Sequence, residues 1–333
     1  MIDIITVTSY DRKYFELNYK LTKDLNKNFK HNWIVVENFS REKHGNYFPG
    51  DENSKLKEDN IEYIKGIIQD NNNSKILKKN NLTYSINPKR STFHAEGLSI
   101  GIKESKAKYL LIIDPDFFVI KDNWLKEQID FMEQNNIDII SAPYHPVKDW
   151  IKPKNIPTVY FLLINSYKIN KDQINFSPPL ENEISNKKKI FKNKLSFNFF
   201  IKLFIYFIGS IFGDKNRYLI GSLGDTGYNL GNLKKESNCE FLSPAINKIK
   251  DLGYNKLLLD FFVSDKYKII HKRNYFSFET FKNFKLYDFR KIGCQEYFWK
   301  KSPFAFHLRG SIKPFDRNIN ELDLILKDFL KKS

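Results

Sequence analysis

Cysteine and arginine are scarce in this chain, and glycine and proline are modest. Two cysteines, Cys239 and Cys294, cannot build a disulfide framework, which points to a reducing compartment, the cytoplasm. The 14 glycines and 12 prolines among 333 residues exclude collagen-like and proline-rich repeats. There is no G-x-x-x-x-G-K-[ST] loop, no C-x-x-C pair, no H-E-x-x-H and no G-x-S-x-G. Gly97-Leu98-Ser99-Ile100-Gly101 lacks the G-x-G spacing of a dinucleotide fingerprint and falls inside a predicted helix. The opening MIDIITVTSYDRKYF has no basic stretch before its apolar run, so it reads as a first strand and not as a signal peptide.

Basic charge is abundant. The formal net charge is +16, yet arginine stands only at positions 12, 41, 90, 217, 273, 290, 309 and 317. Excess positive charge favours phosphate-bearing partners such as nucleotides or an anionic membrane surface. Lysine attracts phosphate as a point charge but reads base edges less well than the arginine fork, so nucleic acid is not expected. With 41% hydrophobic and 28% charged residues the chain is globular, either as two domains or as one enlarged α/β domain.

Residues Ile2 to Thr8 form a β-branched run, and Tyr14, Phe15, Leu17, Leu21 and Leu25 recur at nearly helical spacing after it. A second strand covers Trp33 to Val36 and ends in Glu37. A polar loop follows from Phe39 to Lys57. A helix capped by Ser91 or Thr92 runs to Lys106, and a third strand covers Tyr109 to Ile113. Helix Trp124–Asn135, strand Ile137–Ser141 and the apolar run Thr158–Ile164 come next, with a last helix over Asn320–Leu330. Strands alternating with helices predict an α/β sheet of largely parallel strands.

Three constellations carry chemistry. Leu110-Leu111-Ile112-Ile113 delivers Asp114-Pro115-Asp116 to the C-terminal end of a buried strand, where open α/β sheets bind ligands. Pro115 favours extended backbone before it, and in extended backbone residues i and i+2 share a side, so the two carboxylates can face one cation. Hard oxygen ligands of this kind suit Mg²⁺ or Mn²⁺; the same three residues also make an ordinary turn after a strand. In Gly221-Ser222-Leu223-Gly224-Asp225-Thr226-Gly227, Asp225 stands at an N-cap position before Leu230, where a helix end favours a carboxylate anion. Ser302 to Gly310 reads as a strand that places His307 and Arg309 on one face.

The order of TVTSYDR (Thr6–Arg12), IVVEN (Ile34–Asn38) and HAEGLSIGIKESKAKYLLIIDPDFF (His94–Phe118) resembles the nucleotide-sugar half of GT-A glycosyltransferases, the family-2-like enzymes above all. Asp11 stands where the family more often has Asn, and His94-Ala95-Glu96-Gly97 where it has an Asn/Gly-rich segment. The resemblance implies a GT-A-like, Rossmann-like α/β/α sandwich with a mostly parallel central sheet. It implies Asp114 and Asp116 as a D-x-D metal motif for Mn²⁺ or Mg²⁺, with His307 returning to the metal. Thr8, Tyr10 and Glu37 become candidates for the nucleoside, and Arg90, His94 and Arg309 for the phosphates, with Asp114 also counted among the donor contacts. Asp225 becomes the general base for an acceptor hydroxyl, although the family pattern there is Glu-Asp. The expected partners are a nucleotide-sugar donor and a glycan or lipid-linked acceptor of surface polysaccharide or lipopolysaccharide synthesis.

Between these constellations, KKKIFKNK (Lys187–Lys194) precedes an apolar stretch reaching Gly213. Asn198, Lys202 and Tyr206 fall on one narrow stripe, and Phe197, Phe200, Ile201, Phe204, Ile208 and Ile211 on the opposite face. An amphipathic helix beside a basic cluster suits an anionic membrane surface, ahead of a core helix and a true span, which would put Asp114 and Asp225 on opposite sides of a bilayer. The expected organisation is therefore residues 1–180 as the nucleotide-sugar half, 181–217 as the basic amphipathic insertion, and 218–333 as the acceptor-binding part of the same domain. The expected location is cytoplasmic, peripheral on the cytosolic face of the inner membrane. Two other classes compete: a sugar-phosphate nucleotidyltransferase, whose glycine-rich loop is missing from TSYDRKYF, and a non-catalytic basic protein that binds membrane or nucleic acid.

Overall fold

The computed structural model describes residues 1–8, 12–38, 61–65, 88–144, 156–177, 226–227, 229–246, 270–271, 294–300 and 302–308. Its first sheet takes β1 (Ile2–Thr8), β2 (His31–Glu37), β3 (Ile61–Lys65), β4 (Tyr109–Ile113), β6 (Ile139–Ser141), β7 (Phe161–Asn165) and β8 (Cys239–Phe241), in the order β3-β2-β1-β4-β7-β6-β8. Strand β7 runs antiparallel to both β4 and β6, and every other neighbouring pair is parallel. This is the mostly parallel α/β sheet that the alternation of strands and helices predicts.

Both faces of the sheet are covered, which explains why β1, β4 and β7 are buried along their whole length. Ile2, Ile4, Trp33, Val35, Leu111 and Ile113 face one apolar layer, with Tyr14, Phe15, Tyr19, Leu21 and Leu25 of helix α1 (Arg12–Leu25). Ile5, Val7, Ile34, Val36, Leu110 and Ile112 face the other, with Ala95, Leu98 and Ile102 of helix α2 (Pro88–Glu104). Successive strand residues thus alternate between two cores, as the two-residue period requires. Helix α2 begins earlier than its expected cap at Ser91 or Thr92. Pro88 occupies its first position, where the missing N–H of proline costs nothing.

A second sheet was not legible in advance. It takes β5 (Phe117–Val119), β9 (Ser243–Ile246), β10 (Ile270–His271), β11 (Cys294–Trp299) and β12 (Ser302–Leu308), in the order β10-β9-β11-β12-β5. Strand β5 leaves the first sheet directly after Asp116 and pairs antiparallel with β12, with His307 opposite Phe117. Helix α3 (Trp124–Gln134) then returns the chain, burying Trp124, Leu125, Ile129 and Met132.

Helix α2 approaches β1 closely because it carries Gly97 and Gly101 on one face. A Cβ at Gly101 would lie 2.5 Å from Ile5 Cγ2, and one at Gly97 would lie 2.9 Å from Val7 Cγ1. Gly101→Ala gains about 1 kcal/mol of helix propensity, but overpacking a tight core costs about 1–3 kcal/mol. Packing should win. The denaturation midpoint of Gly101→Ala is expected to fall with an unchanged slope, and a midpoint at or above wild type would show that α2 can withdraw from β1 without cost.

Candidate functional site

The Asp-Pro-Asp segment is a tight turn. The N–H of Phe117 donates to the carbonyl of Asp114 at 3.0 Å, with Pro115 at the second turn position, where its fixed φ is favoured. Of the two readings of this segment, the turn is the one observed, and the carboxylates converge across a chain reversal, not along an extended strand. The N–H of Asp114 donates to the carbonyl of Tyr160 at 3.1 Å, and the N–H of Leu308 donates to the carbonyl of Asp116 at 3.0 Å. The turn is thereby pinned between the first sheet and β12. On its inner side, the amide of Asn18 from α1 reaches the carbonyls of Asp114, Pro115 and Phe117.

These attachments gather three side chains. His307 Nε2 lies 3.2 Å from Asp116 Oδ1 and 4.0 Å from Asp114 Oδ2. One ligand atom from each of Asp114, Asp116 and His307 lies within 4.8 Å of the other two. Asp116 and His307 are buried, while Asp114 is partly open to solvent. The ring of Tyr160 stacks on His307 with centroids 4.7 Å apart, and Phe117 lies 5.8 Å from the same ring. The Tyr160 hydroxyl donates to the carbonyl of Pro143 at 2.6 Å, which fixes the ring that supports the imidazole.

A fourth group comes from α2. His94 Nε2 approaches Asp114 Oδ1 to 3.6 Å. Burial pushes its imidazole pKa down to about 4, although the negative charge of Asp116 opposes that shift. His94 is therefore neutral at pH 7 and adds no positive charge. Among the described residues no lysine or arginine makes an ion pair with Asp116. Two carboxylates held this close repel each other, and a nearby positive charge relieves that repulsion. Two carboxylates and an imidazole, close enough to share one ion, fit a divalent cation. The nitrogen donor favours Mn²⁺ over Mg²⁺.

Thr8 ends β1, buried, and its hydroxyl has no partner among the described residues. Glu37 ends β2 directly opposite it in the register, on the sheet edge that the chain follows into Asp114, but its side chain lies outside the described residues, as does that of Arg90 at the start of α2. Tyr10, Asp225, Arg309, residues 181–217 and the expected helix at 320–330 also lie outside them. The sequence places Asp225 at the N-cap before Leu230, but the residue in that position is another. Helix α4 (Leu230–Glu236) has Asn229 in that position, because a turn at Gly227, with φ of +85°, intervenes. Tyr160 and Asn18 escaped the sequence reading. Only the spacing of Asn18, Thr22 and Asn26, a polar row four residues apart on an otherwise apolar face, could have shown Asn18.

Residues 59–195, less than half of the chain, match the family model described as glycosyl transferase family 2. Both aspartates lie inside that stretch, and Asp114-Pro115-Asp116 fits a D-x-D motif. No curated protein sequence matches the chain. Among solved structures, TarS 1-349 of S. aureus in complex with UDP-GlcNAc is similar at 12% identity and a TM-score of 0.33, covering 53% of this chain and 48% of that one. A mannosyltransferase from Pyrobaculum calidifontis in complex with GDP-Man and Mn²⁺ is similar at 10% identity and a TM-score of 0.33, covering 53% and 47%. The glycosyltransferase GlyE of Streptococcus pneumoniae TIGR4 is similar at 12% identity and a TM-score of 0.38, covering 99% of this chain and 63% of that one. The chain thus spans about half to two thirds of the length of these structures.

The donor set predicts a metal preference. Titrated by calorimetry, the protein should bind Mn²⁺ more tightly than Mg²⁺. His307→Ala should narrow that gap by roughly tenfold, about 1.4 kcal/mol, because it removes the one nitrogen donor. Unchanged affinity for both ions would show that His307 is not a ligand.

Proposed function

We propose that this chain, with its glycosyl transferase family 2 segment at residues 59–195, transfers a sugar from a nucleotide-sugar donor to a hydroxyl of a glycan or lipid-linked acceptor. One observation carries the reading: the acidic turn inside the matched segment meets His307, from far outside it, in a cluster fit for a divalent cation. The sheet supports it, since Thr8, Glu37 and Asp114 follow the C-terminal ends of parallel strands, where open α/β sheets take nucleotides.

In this reading Asp114, Asp116 and His307 hold Mn²⁺ or Mg²⁺. When bound, the cation neutralises charge on the donor diphosphate as the nucleotide leaves. Thr8, Tyr10 and Glu37 take the nucleoside, and Arg90 and Arg309 contact the phosphates. His94, neutral beside Asp114, can donate a hydrogen bond to a phosphate oxygen without competing for the metal as a cation. Asp225 accepts the proton of the acceptor hydroxyl as it attacks the anomeric carbon in line, which inverts that centre.

Lys187 to Gly213 supports an acceptor near an anionic membrane surface, with lysines on head groups and the Phe and Ile face in lipid. Among the described residues no helix is long and apolar enough to cross a membrane.

Release of free nucleotide from a panel of nucleotide sugars, with and without Mn²⁺, tests the activity. Metal-dependent release from at least one donor is expected, and no release from any would overturn the reading. Asp225→Asn should keep donor affinity near wild type while turnover falls by roughly 10²–10⁴-fold, the usual loss with a general base. Retained turnover would mean that another carboxylate is the base or that the enzyme retains configuration.

A further inference from the structure

We propose that Asn18 is a positioning residue for the cation site, setting the shape of the Asp114–Phe117 turn from beneath. This rests on the reading of Asp114, Asp116 and His307 as a divalent-cation site. Asn18 is buried on α1, far from the turn in sequence. Its Nδ2 donates to the carbonyl of Phe117 at 2.9 Å and to those of Asp114 and Pro115 at 3.3 Å each. Two N–H groups are thus shared among three carbonyl oxygens of one turn.

Gathering three carbonyl dipoles at one buried point is unfavourable without a donor at their focus. Asn18 supplies that donor. The Asp114 and Pro115 carbonyls face α1, and the carboxylates of Asp114 and Asp116 are left to converge beside His307. The orientation of the amide is itself fixed, because Thr22 Oγ1 donates to Asn18 Oδ1 at 3.3 Å, which leaves Nδ2 for the turn. The row continues: Asn26 Nδ2 donates to the carbonyl of Thr22 at 2.9 Å, and Asn26 Oδ1 accepts from the N–H of Leu125 at 3.0 Å. Helix α1 and the residue that follows it therefore hold both ends of the β5 passage, the acidic turn through Asn18 and the start of α3 through Asn26. Only the first lies under the cation ligands.

That division supplies the control. A binding constellation tolerates about half an ångström of error, so loosening the turn should act on cation affinity, whereas loosening the start of α3 should act on stability alone. Mn²⁺ binding to the full chain, followed by loss of the free-ion EPR signal, and unfolding without metal are measured side by side. Asn18→Ala is expected to weaken Mn²⁺ binding by roughly 10–100-fold, the effect usual for a residue that holds a ligand in place. Asn18→Ser, which keeps a short donor and covers the case of a poorly folding alanine variant, should fall between. Asn26→Ala should lower the unfolding midpoint and leave Mn²⁺ affinity within about threefold of wild type. Wild-type Mn²⁺ affinity in both Asn18 variants, or equal weakening by Asn26→Ala, would overturn the positioning role. If wild type itself fails to bind Mn²⁺, the cation reading falls and this inference with it.

Discussion

The site depends on one backbone event: the chain reverses at Asp114–Phe117 and hands its next strand from one sheet to another. Before the turn, β4 lies in the middle of a mostly parallel sheet, and after it β5 is an edge of a sheet that is mostly antiparallel. The hydrogen bond from Leu308 N–H to the carbonyl of Asp116 fastens that transfer. It also aligns β12 so that His307 falls opposite Phe117, one residue beyond the second carboxylate. Without this pairing the histidine, nearly two hundred residues away in the chain, would have no reason to meet the aspartates.

Much of the fold was legible because it is local. The β-branched run from Ile2 to Thr8 and the apolar run from Tyr109 to Ile113 are strands with the bounds their sequences suggest. The spacing of Tyr14, Phe15, Leu21 and Leu25 marks a helix whose apolar face is buried. The D-x-D candidate and its strand-end position could be read as well, since an apolar strand running into Asp-Pro-Asp is a contiguous signal. What escaped was non-local or compensating. Strand β5 is three residues long, too short to show a period, and its identity comes only from β12. The local sequence does not choose between turn and extended backbone at Asp-Pro-Asp, because Pro115 suits the second position of a turn as well as it favours extended backbone before it. The N-cap of α4 falls at Asn229, after a left-handed turn at Gly227, and the glycine-rich motif before it carries no local signal for that position.

The chemistry of the site follows from its burial. Asp116 and His307 are both buried, and Phe117 and Tyr160 lie against the His307 ring, so the contact between the two is little screened by water. Asp114 is partly open, which leaves one side of the cluster accessible from solvent. His94 shows the same balance from the other side: burial removes its charge, so it serves as a neutral neighbour of the carboxylates and not as a replacement for a metal. The glycines of α2 belong to this arrangement too, since the close approach of α2 to β1 sets where His94 stands.

The central claim is that Asp114, Asp116 and His307 bind one divalent cation. Anomalous X-ray diffraction at the manganese edge, from crystals soaked with Mn²⁺ and a nucleoside diphosphate, tests it most directly. The account predicts one peak between the three side chains, within about 2.0–2.3 Å of a carboxylate oxygen and of His307 Nε2, with diphosphate oxygens completing the shell. A nucleotide bound with no peak there, or manganese ligated elsewhere, would contradict it.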